Sequence, residues 1–514
     1  MTYGVPFHGK MSLVQVLENI YLHDDPTITF PHSCKRGKCG SCTVNLNGTP
    51  VLACRHVIEV ADDELVVEPI VNFPVCKDLL VDDSWFHRKL QRTLTRIDAA
   101  ESSRQRILDE TLIPYSDLTR CTTCLACDSV CTVLNAAPEL YSGPGMVAAA
   151  AGPGPRVMYN GNRGVPVESS IDYCSFCLNC ELVCPADVTF SRLLSGAKNA
   201  CFGNKGWSVH DQVVGQFGSL ARVLGRIPVI YRSKVTRTLL EWILSIDRRM
   251  DLPYFNNYFD SWIEGHKSPR LDGRKVAYFV GCFARYIDSD VARDTVEVLE
   301  HNGVSVTVLG QECCGMPLLS KGNLDDVRKL GLQNLKSLRP LVDDGYEIVA
   351  SCTSCSWMLK KGYSHALGLE GSEQVVGHTY DIGEYLFEML DSGRFSTEVH
   401  PLNLTLAYHA PCHLRSQEIG KPFLEVLKTI PNLSVMDITK KCCGLSGTYG
   451  LKKGKYDVSM KVGDELFKAA RDSKATSIIS DCGTCRLQIS HRTSMNTAHP
   501  VNILHQAYFP QEAS

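Results

Sequence analysis

VAYFVGCFARY at residues 276–286 returns as LAYHAPCHLRS at 406–416, and the reading of this pair decides how the C-terminal half folds. Each segment starts as a short apolar run, the pattern of a buried strand, and each delivers a cysteine at its end, Cys282 and Cys412. IVAS runs into Cys352 and SIISD into Cys482 in the same way. Two CCG triplets, in ECCGMP and KCCGLS, add Cys313, Cys314, Cys442 and Cys443, and each half closes on a C-x-x-C pair that supplies Cys355 and Cys485. The five cysteines of the first set recur in the second at spacings of 129 or 130 residues, which marks a duplication. Residues 288–301 and 457–472 have helical periodicity, with Gly303 as a stop signal after the first. Each repeat therefore reads β-α-β-α-β, its cysteines beyond the carboxyl ends of the strands, where open α/β sheets place ligands. The two halves are expected to face each other about a pseudo-twofold axis. Five thiolates per repeat are one more than a cubane cluster needs.

Twelve further cysteines extend the pattern toward the N-terminus. SCKRGKCGSCTVNLNGTPVLAC, residues 33–54, holds Cys34, Cys39, Cys42 and Cys54 in the C-x4-C-x2-C spacing plus distant fourth thiolate of a plant-type 2Fe-2S site. CTTCLACDSVC supplies Cys121, Cys124, Cys127 and Cys131, and CSFCLNCELVCP supplies Cys174, Cys177, Cys180 and Cys184. Both are the C-x2-C-x2-C-x3-C run of two-cluster ferredoxins, in which the fourth cysteine of each run serves the other cluster. One 4Fe-4S cluster is thus expected on Cys121, Cys124, Cys127 and Cys184, the other on Cys131, Cys174, Cys177 and Cys180. Soft thiolates in such numbers select iron, so iron is the only metal expected, and the chain is read as a carrier of electrons. The C-x-x-C pairs taken alone suit zinc, but contiguous four-cysteine runs are poorly shaped for separate tetrahedral sites.

The 514-residue chain has room for three to four domains. The expected class is α+β multidomain. Residues 1–83 form a β-grasp 2Fe-2S ferredoxin domain, 84–270 an α-helical domain with two 4Fe-4S clusters, 271–400 the first CCG repeat and 401–514 the second. Within the first domain, Ser12 and Gln15 cap a helix over 12–20, Thr27 to Phe30 reads as a strand, Asn47-Gly48 turns a hairpin, and LVVE at 65–68 adds a strand. Lys35, Arg36 and Lys38 either neutralise the cluster or form a solvated docking loop. The small-residue insert from Tyr141 to Pro155 reads as a loop, and its loose G-x-G-x-x-A match has no strand before it to support nucleotide binding. Cys76 and Cys201, outside every set, are read as small buried hydrophobes.

A net charge of -3 with dispersed Lys and Arg offers no face for nucleic acid. No h-region and no apolar run of roughly 18 residues is present, so no integral membrane segment is expected. Free thiols on this scale need a reducing compartment, and cytoplasmic localisation follows.

The first 200 or so residues resemble the iron-sulfur subunit of succinate dehydrogenases and fumarate reductases, through SCKRGKCGSC, NLNGTPVLAC, CTTCLACDSVC and CELVCP. Cys177 stands where membrane enzymes of that family usually have another residue and a 3Fe-4S cluster beside a quinone site. Thr132 replaces the family's proline, and no tryptophan follows where quinone contacts would fall. Both departures weaken a quinone function. YGVPFHGK lies close to the family's second strand, so the first β-grasp strand is expected to be absent or supplied differently.

Residues 271–514 resemble the two-repeat CCG domain of the heterodisulfide reductase B subunit. That resemblance implies two non-cubane 4Fe-4S clusters on the ten CCG cysteines, with the substrate disulfide between them. The fusion of both halves resembles the B-subunit family of thiol:fumarate reductases. It implies oxidation of coenzyme M plus coenzyme B, or similar thiols, to a heterodisulfide. Electrons would pass through the two cubane 4Fe-4S clusters and one 2Fe-2S cluster to FAD on a flavoprotein subunit that reduces fumarate to succinate. No flavin fingerprint occurs in the chain itself, so the flavoprotein must be a partner. The alternative is an electron-relay subunit of a quinone-linked succinate, glycerol phosphate or hydroxy acid dehydrogenase. Relay chains of that kind often lack CCG cysteines, and both repeats here are complete. Arg285, Lys360, Lys361, Arg415, Lys440 and Lys441 lie near CCG ligands and are candidates for binding anionic groups of a thiol, weighed against a solvated surface.

Overall fold

The computed structural model describes residues 1–7, 9–59, 64–98, 119–151, 170–203, 221, 233–269, 273–440 and 442–510. The chain is a mixed α/β multidomain protein that forms two compact units, Met1–Cys174 with Leu178–Cys201, and Ser175–Cys177 with Phe202–Ser514. Among the described residues no helix is long and apolar enough to cross a membrane.

In the first unit, β1 (Met11–Ser12) runs into the helix Leu13–His23, where the backbone N–H of Ser12 donates to Gln15 Oε1 at 2.8 Å, the expected capping box. The apolar stripe of that helix, Leu13, Val14 and Leu17, packs on Val44, Leu46 and Leu52. The latter three belong to β2 (Thr43–Leu46) and β3 (Thr49–Leu52), joined at Asn47 (φ 49°) and Gly48 (φ 80°), two left-handed residues that fit a two-residue hairpin. β4 (Val57–Ile58) pairs with β1, and β5 (Val67–Glu68) adds to β2. β6 (Val75–Lys77) and β7 (Leu80–Val81) form a separate ribbon.

Three expectations fail here. Thr27 to Phe30 is not a strand: Asp25 Oδ1 accepts from both the backbone and the hydroxyl of Thr27, at 2.9 and 2.6 Å, and this local turn consumes the residues a ladder would need. Cys76 lies exposed in the middle of β6 instead of being buried, and Cys201 is only half-buried. Finally, the insert after Tyr141 is not all loop, because Pro144–Ala151 is a helix. Its residues from Pro144 to Ala150 are buried on every side, so it has no polar face from which a helical period could be read. The remainder of the insert, 152–155, lies outside the described residues.

The second unit contains both repeats. In the first, β8 (Lys275–Phe279), β9 (Ser305–Val308), β10 (Tyr346–Ala350) and β11 (Thr379–Asp381) form a parallel sheet ordered β11-β10-β8-β9. In the second, β12 (Leu404–Tyr408), β13 (Leu433–Asp437), β14 (Ser477–Ile479) and β15 (Thr497–Ala498) are ordered β13-β12-β14-β15, the same topology read from the other edge. Each repeat thus has four strands where three were expected. The extra ones, β11 and β15, are three and two residues long, too short for alternation to show in sequence.

Val276, Tyr278 and Val280 on one side, and Leu406, Tyr408 and Ala410 on the other, enter a single apolar core common to both repeats. The helix Ser289–His301 packs on Pro500–Tyr508, and Ile382–Asp391 on Pro422–Leu427. Each contact joins the second helix of one repeat to the last helix of the other. That exchange is the signature of the expected pseudo-twofold.

Candidate functional site

In the N-terminal cysteine loop, left-handed Lys35, Gly37 and Gly40 curl the backbone so that its N–H groups face inward. Arg36 and Lys38 each donate to Cys34 Sγ at 3.4 Å, and Gly37 donates to Cys54 Sγ at 3.1 Å. Ser41 Oγ lies 3.2 Å from Cys39 Sγ, and this hydroxyl is the main reason that the Cys39 thiol falls to about 6. An anionic sulfur set ringed by donors fits an iron-sulfur cluster. Lys35 is committed to an ion pair with Glu18.

The two ferredoxin-type runs share a backbone device. Thr123 and Leu125 flank Cys124, Phe176 and Leu178 flank Cys177, and all four are left-handed, with φ between 52° and 63°. Non-glycine residues at positive φ are costly and collect at functional sites. Cys121, Cys124, Cys127 and Cys184 line one small cavity of about 20 Å³. Cys174, Cys131 and Cys180 are electrostatic neighbours of the buried Tyr141 hydroxyl, whose pKa is raised well above normal by burial and then by these thiols. Asp128, also fully buried, is pushed up to about 7 by desolvation and holds the amide of Gly145 at 2.7 Å. Glycine is required there, because a Cβ on residue 145 would lie 2.5 Å from the Asp128 carboxylate.

In the repeats every cysteine stands beyond a strand's carboxyl end. Cys282 and Cys412 open short helices after β8 and β12, Cys352 and Cys482 cap helices after β10 and β14, and the CCG pairs lie in the loops after β9 and β13. Within each repeat the five thiols lie close enough to act on one another's charge in an unbroken series. In the first it runs Cys282, Cys313, Cys314, Cys355, Cys352. In the second it runs Cys412, Cys442, Cys443, Cys485, Cys482. Cys313 is held well below the usual thiol range by Cys282 and Cys314, and Cys442 likewise by Cys412 and Cys443. Gly281 (φ 75°) completes the first cradle, since a Cβ there would come within 3.0 Å of Cys355 Sγ. Five convergent, largely buried thiols fit a sulfur-rich metal cluster.

Both thiol sets open on one cavity of about 240 Å³, lined by Cys282, Cys313, Cys314, Cys352, Cys355, Cys412 and Cys482. The other walls are chiefly apolar, including Phe283, Met316 and Leu487 from the repeats and Leu240, Leu244, Ile246, Leu252 and Phe255 from the segment that precedes them. Sequence reasoning missed that segment, which carries no cysteine. It is tied to both repeats: Asp247 N–H donates to Leu451 O at 2.7 Å, Arg249 pairs with Asp457 at 2.9 Å, and Asn256 N–H donates to Tyr286 O at 2.8 Å. A half-buried histidine supplies a polar corner. His413 Nδ1 lies 2.8 Å from Ser354 Oγ, Nε2 lies 3.1 Å from Phe176 O, and the ring stacks on Trp357.

The candidate cations do not reach this cavity. Arg285 pairs with Asp260 at 2.6 Å, Lys360 with Glu384, and Lys361 with Ser416 O and Glu418 at 2.8 and 3.0 Å. Arg415 and Lys440 are not among the lining residues either, and Lys441 lies outside the described residues.

Ferredoxin-type cysteine loops joined to a duplicated thiol-rich α/β domain define an iron-sulfur, electron-transferring subunit of an oxidoreductase. Models of known families match in the same order: a 2Fe-2S iron-sulfur cluster binding domain over residues 1–88, a 4Fe-4S dicluster domain over 117–188, and a cysteine-rich domain over 276–360 and again over 406–490. The C subunit of the anaerobic glycerol-3-phosphate dehydrogenase of Escherichia coli K12 is 32% identical over 396 residues, 75% of this chain and 98% of its own length. The B subunit of the fumarate reductase (CoM/CoB) of Methanothermobacter marburgensis is 29% identical over 496 residues, 95% of this chain and 90% of its own. A crystal structure of a hypothetical protein from Helicobacter pylori superimposes with a TM-score of 0.56 at 11% identity, covering 99% of this chain and 91% of that one, a likeness of fold alone. The chain belongs to the family of oxidoreductase iron-sulfur subunits that includes these fumarate reductase and glycerol-3-phosphate dehydrogenase subunits, and its cofactors are 2Fe-2S and 4Fe-4S clusters.

Proposed function

We propose that this chain is the thiol-oxidising, iron-sulfur subunit of a thiol:fumarate reductase. Two thiols, coenzyme M and coenzyme B or close analogues, meet in the cavity between the repeats, and the sulfurs join as a disulfide with release of two protons and two electrons. The two electrons leave toward FAD on a flavoprotein partner, where with two protons they reduce fumarate to succinate. When bound, the clusters supply one-electron transfer, and in the repeats the fifth thiolate offers an iron of altered coordination.

The proposed holders are Cys34, Cys39, Cys42 and Cys54 for one 2Fe-2S cluster in a β-grasp domain. Cys121, Cys124, Cys127 and Cys184, then Cys131, Cys174, Cys177 and Cys180, hold two cubanes. The five thiols of each repeat hold one non-cubane 4Fe-4S cluster, two in all. The observation that carries the reading is that both repeats keep all five thiols together beyond their strand ends, and that thiols of both repeats open on the same cavity. The apolar walls exclude water from sulfur chemistry there, and the His413–Ser354 pair is a polar group on the cavity wall.

The identity with the glycerol-3-phosphate dehydrogenase subunit favours a second reading, in which the repeats only relay electrons to a quinone. Anaerobic assay of the complex separates the two. The thiol reading expects about 18 irons per chain, reduction of benzyl viologen by coenzyme M plus coenzyme B, and no quinone reduction. About ten irons would remove the CCG clusters, and quinone reduction with no thiol activity would establish the relay.

A further inference from the structure

The second repeat holds a buried imidazole that the proposed chemistry does not use. His409 follows β12 directly and is 0% exposed, and neither ring nitrogen has a hydrogen-bond partner among the described residues. Its backbone is held at both ends: the N–H donates to Ile479 O at 2.9 Å and the carbonyl accepts from Ser480 Oγ at 2.8 Å. The ring therefore cannot turn toward water while the strand stays paired.

Side chains alternate along this strand. Leu406, Tyr408 and Ala410 enter the core common to both repeats, whereas Ala407 packs with Cys443, Cys482 and Cys485. By that alternation His409 stands on the cysteine side, and Cys442 is among the groups whose charge acts on the ring. The same position in the first repeat is Phe279, equally buried, which has no polar atom to satisfy. An imidazole always carries at least one N–H, and a buried donor left unpaired loses its hydration with nothing in return.

We propose that His409 donates an N–H hydrogen bond to a sulfur of the cluster held by the second repeat, and thereby sets that cluster at a higher reduction potential than its twin beside Phe279. The inference rests on the reading that each repeat holds a cluster. A donor aimed at a cluster sulfur favours the more negative, reduced state, and hydrogen bonds of this kind are among the terms that set cluster potentials. Cys177, which falls in the same compact unit as the repeats, is an electrostatic neighbour of Cys412 in the second. His409 is thus a tuning residue that makes the two halves unequal.

The test is pulsed electron paramagnetic resonance on the full complex, with histidine labelled in 15N, together with a redox titration. A 15N coupling should appear on one of the two CCG cluster signals and vanish in both His409→Phe and His409→Gln. The potential of that cluster should fall in His409→Phe by the equivalent of a roughly tenfold change in reduced-to-oxidised ratio, about 59 mV for one electron. His409→Gln, which keeps an N–H, should fall less. If His409→Phe does not fold, the wild-type coupling and the glutamine variant decide the matter. Normal iron content with no histidine coupling, a coupling lost only in His413→Gln, or an unchanged potential would overturn the proposal and leave the cluster reading standing. A chain with about ten irons and no CCG signal would overturn both.

Discussion

The two cysteine-rich repeats agree in strand order, in cysteine spacing and in the sequence of thiol contacts, yet they differ at the residues packed around those thiols. Gly281 of the first stands where the second has Pro411, Phe283 where it has His413, Phe279 where it has His409, and Ser351 where it has Asp481. The tyrosines behind them bond accordingly: Tyr278 meets Ser351 Oγ at 2.6 Å, while Tyr408 donates to Asp481 Oδ2 at 2.8 Å. Backbone and ligands are common to both halves, so the duplication accounts for the architecture. The polar surroundings are not common. The cavity shared by the two sites is therefore bounded by Phe283 in the first repeat and by His413 in the second, with His409 and Asp481 buried behind the second wall, and the two halves are expected to act in sequence rather than interchangeably.

The most severe way to test this is to remove one thiol from each repeat. Cys313→Ala and Cys442→Ala should each abolish disulfide formation, while fumarate reduction by reduced benzyl viologen survives through the N-terminal clusters and the flavoprotein. Retention of the 2Fe-2S signal must be checked, because losing a cluster destabilises the domain that closes around it. If only one substitution stops the thiol reaction, the repeats divide into a catalytic and a structural site.

A smaller effect compares the CCG glycines. Gly315 (φ 86°) and Gly444 (φ 89°) are both left-handed, but a Cβ would meet only the Val327 side chain, at 2.5 Å, in the first and the Ser459 carbonyl oxygen, at 2.0 Å, in the second. Side chains give way more easily than backbone. Gly444→Ala should cost about 3 kcal/mol and Gly315→Ala about 1–2 kcal/mol, read as midpoints of anaerobic denaturant unfolding. Equal losses would mean that backbone strain alone, common to both, sets the cost.

The mildest contrast is between the tyrosines. Tyr408→Phe leaves a buried carboxyl group with both oxygens unpartnered, since Asp481 Oδ1 already has no hydrogen bond, and should cost about 2 kcal/mol. Tyr278→Phe releases only a hydroxyl that can turn elsewhere, at about 1 kcal/mol. The same unfolding measurement ranks them, and a reversed order would show that the Asp481 site gains nothing from its tyrosine.

Much of this is legible in the chain before any tertiary contact is considered. Cysteine spacing is a local property, set by how far a short loop can reach around a metal centre. The five thiol sets, the repeat and the family can therefore be read directly, as can the Ser12–Gln15 cap and the Asn47-Gly48 hairpin, whose geometry involves only neighbours. The failures share one physical cause. The helix Pro144–Ala151 has no polar face to reveal its period, β11 and β15 exist only because β10 and β14 offer free edges, and Thr27 is drawn into a turn by Asp25. Local signals are absent or are outweighed by competing contacts.

The chemistry of the thiols, their grouping into a ferredoxin-like half and a duplicated half, and the class of reaction follow from the sequence alone, because ligand type and spacing carry them. Tertiary structure decided what surrounds those thiols. It brought the wall of Leu240, Ile246 and Phe255 over both repeats, kept Arg285, Lys360 and Lys361 in ion pairs away from the cavity, and buried His409 without a partner. Each of these depends on residues tens to hundreds of positions apart being pressed into one core, where burial determines which groups must find partners.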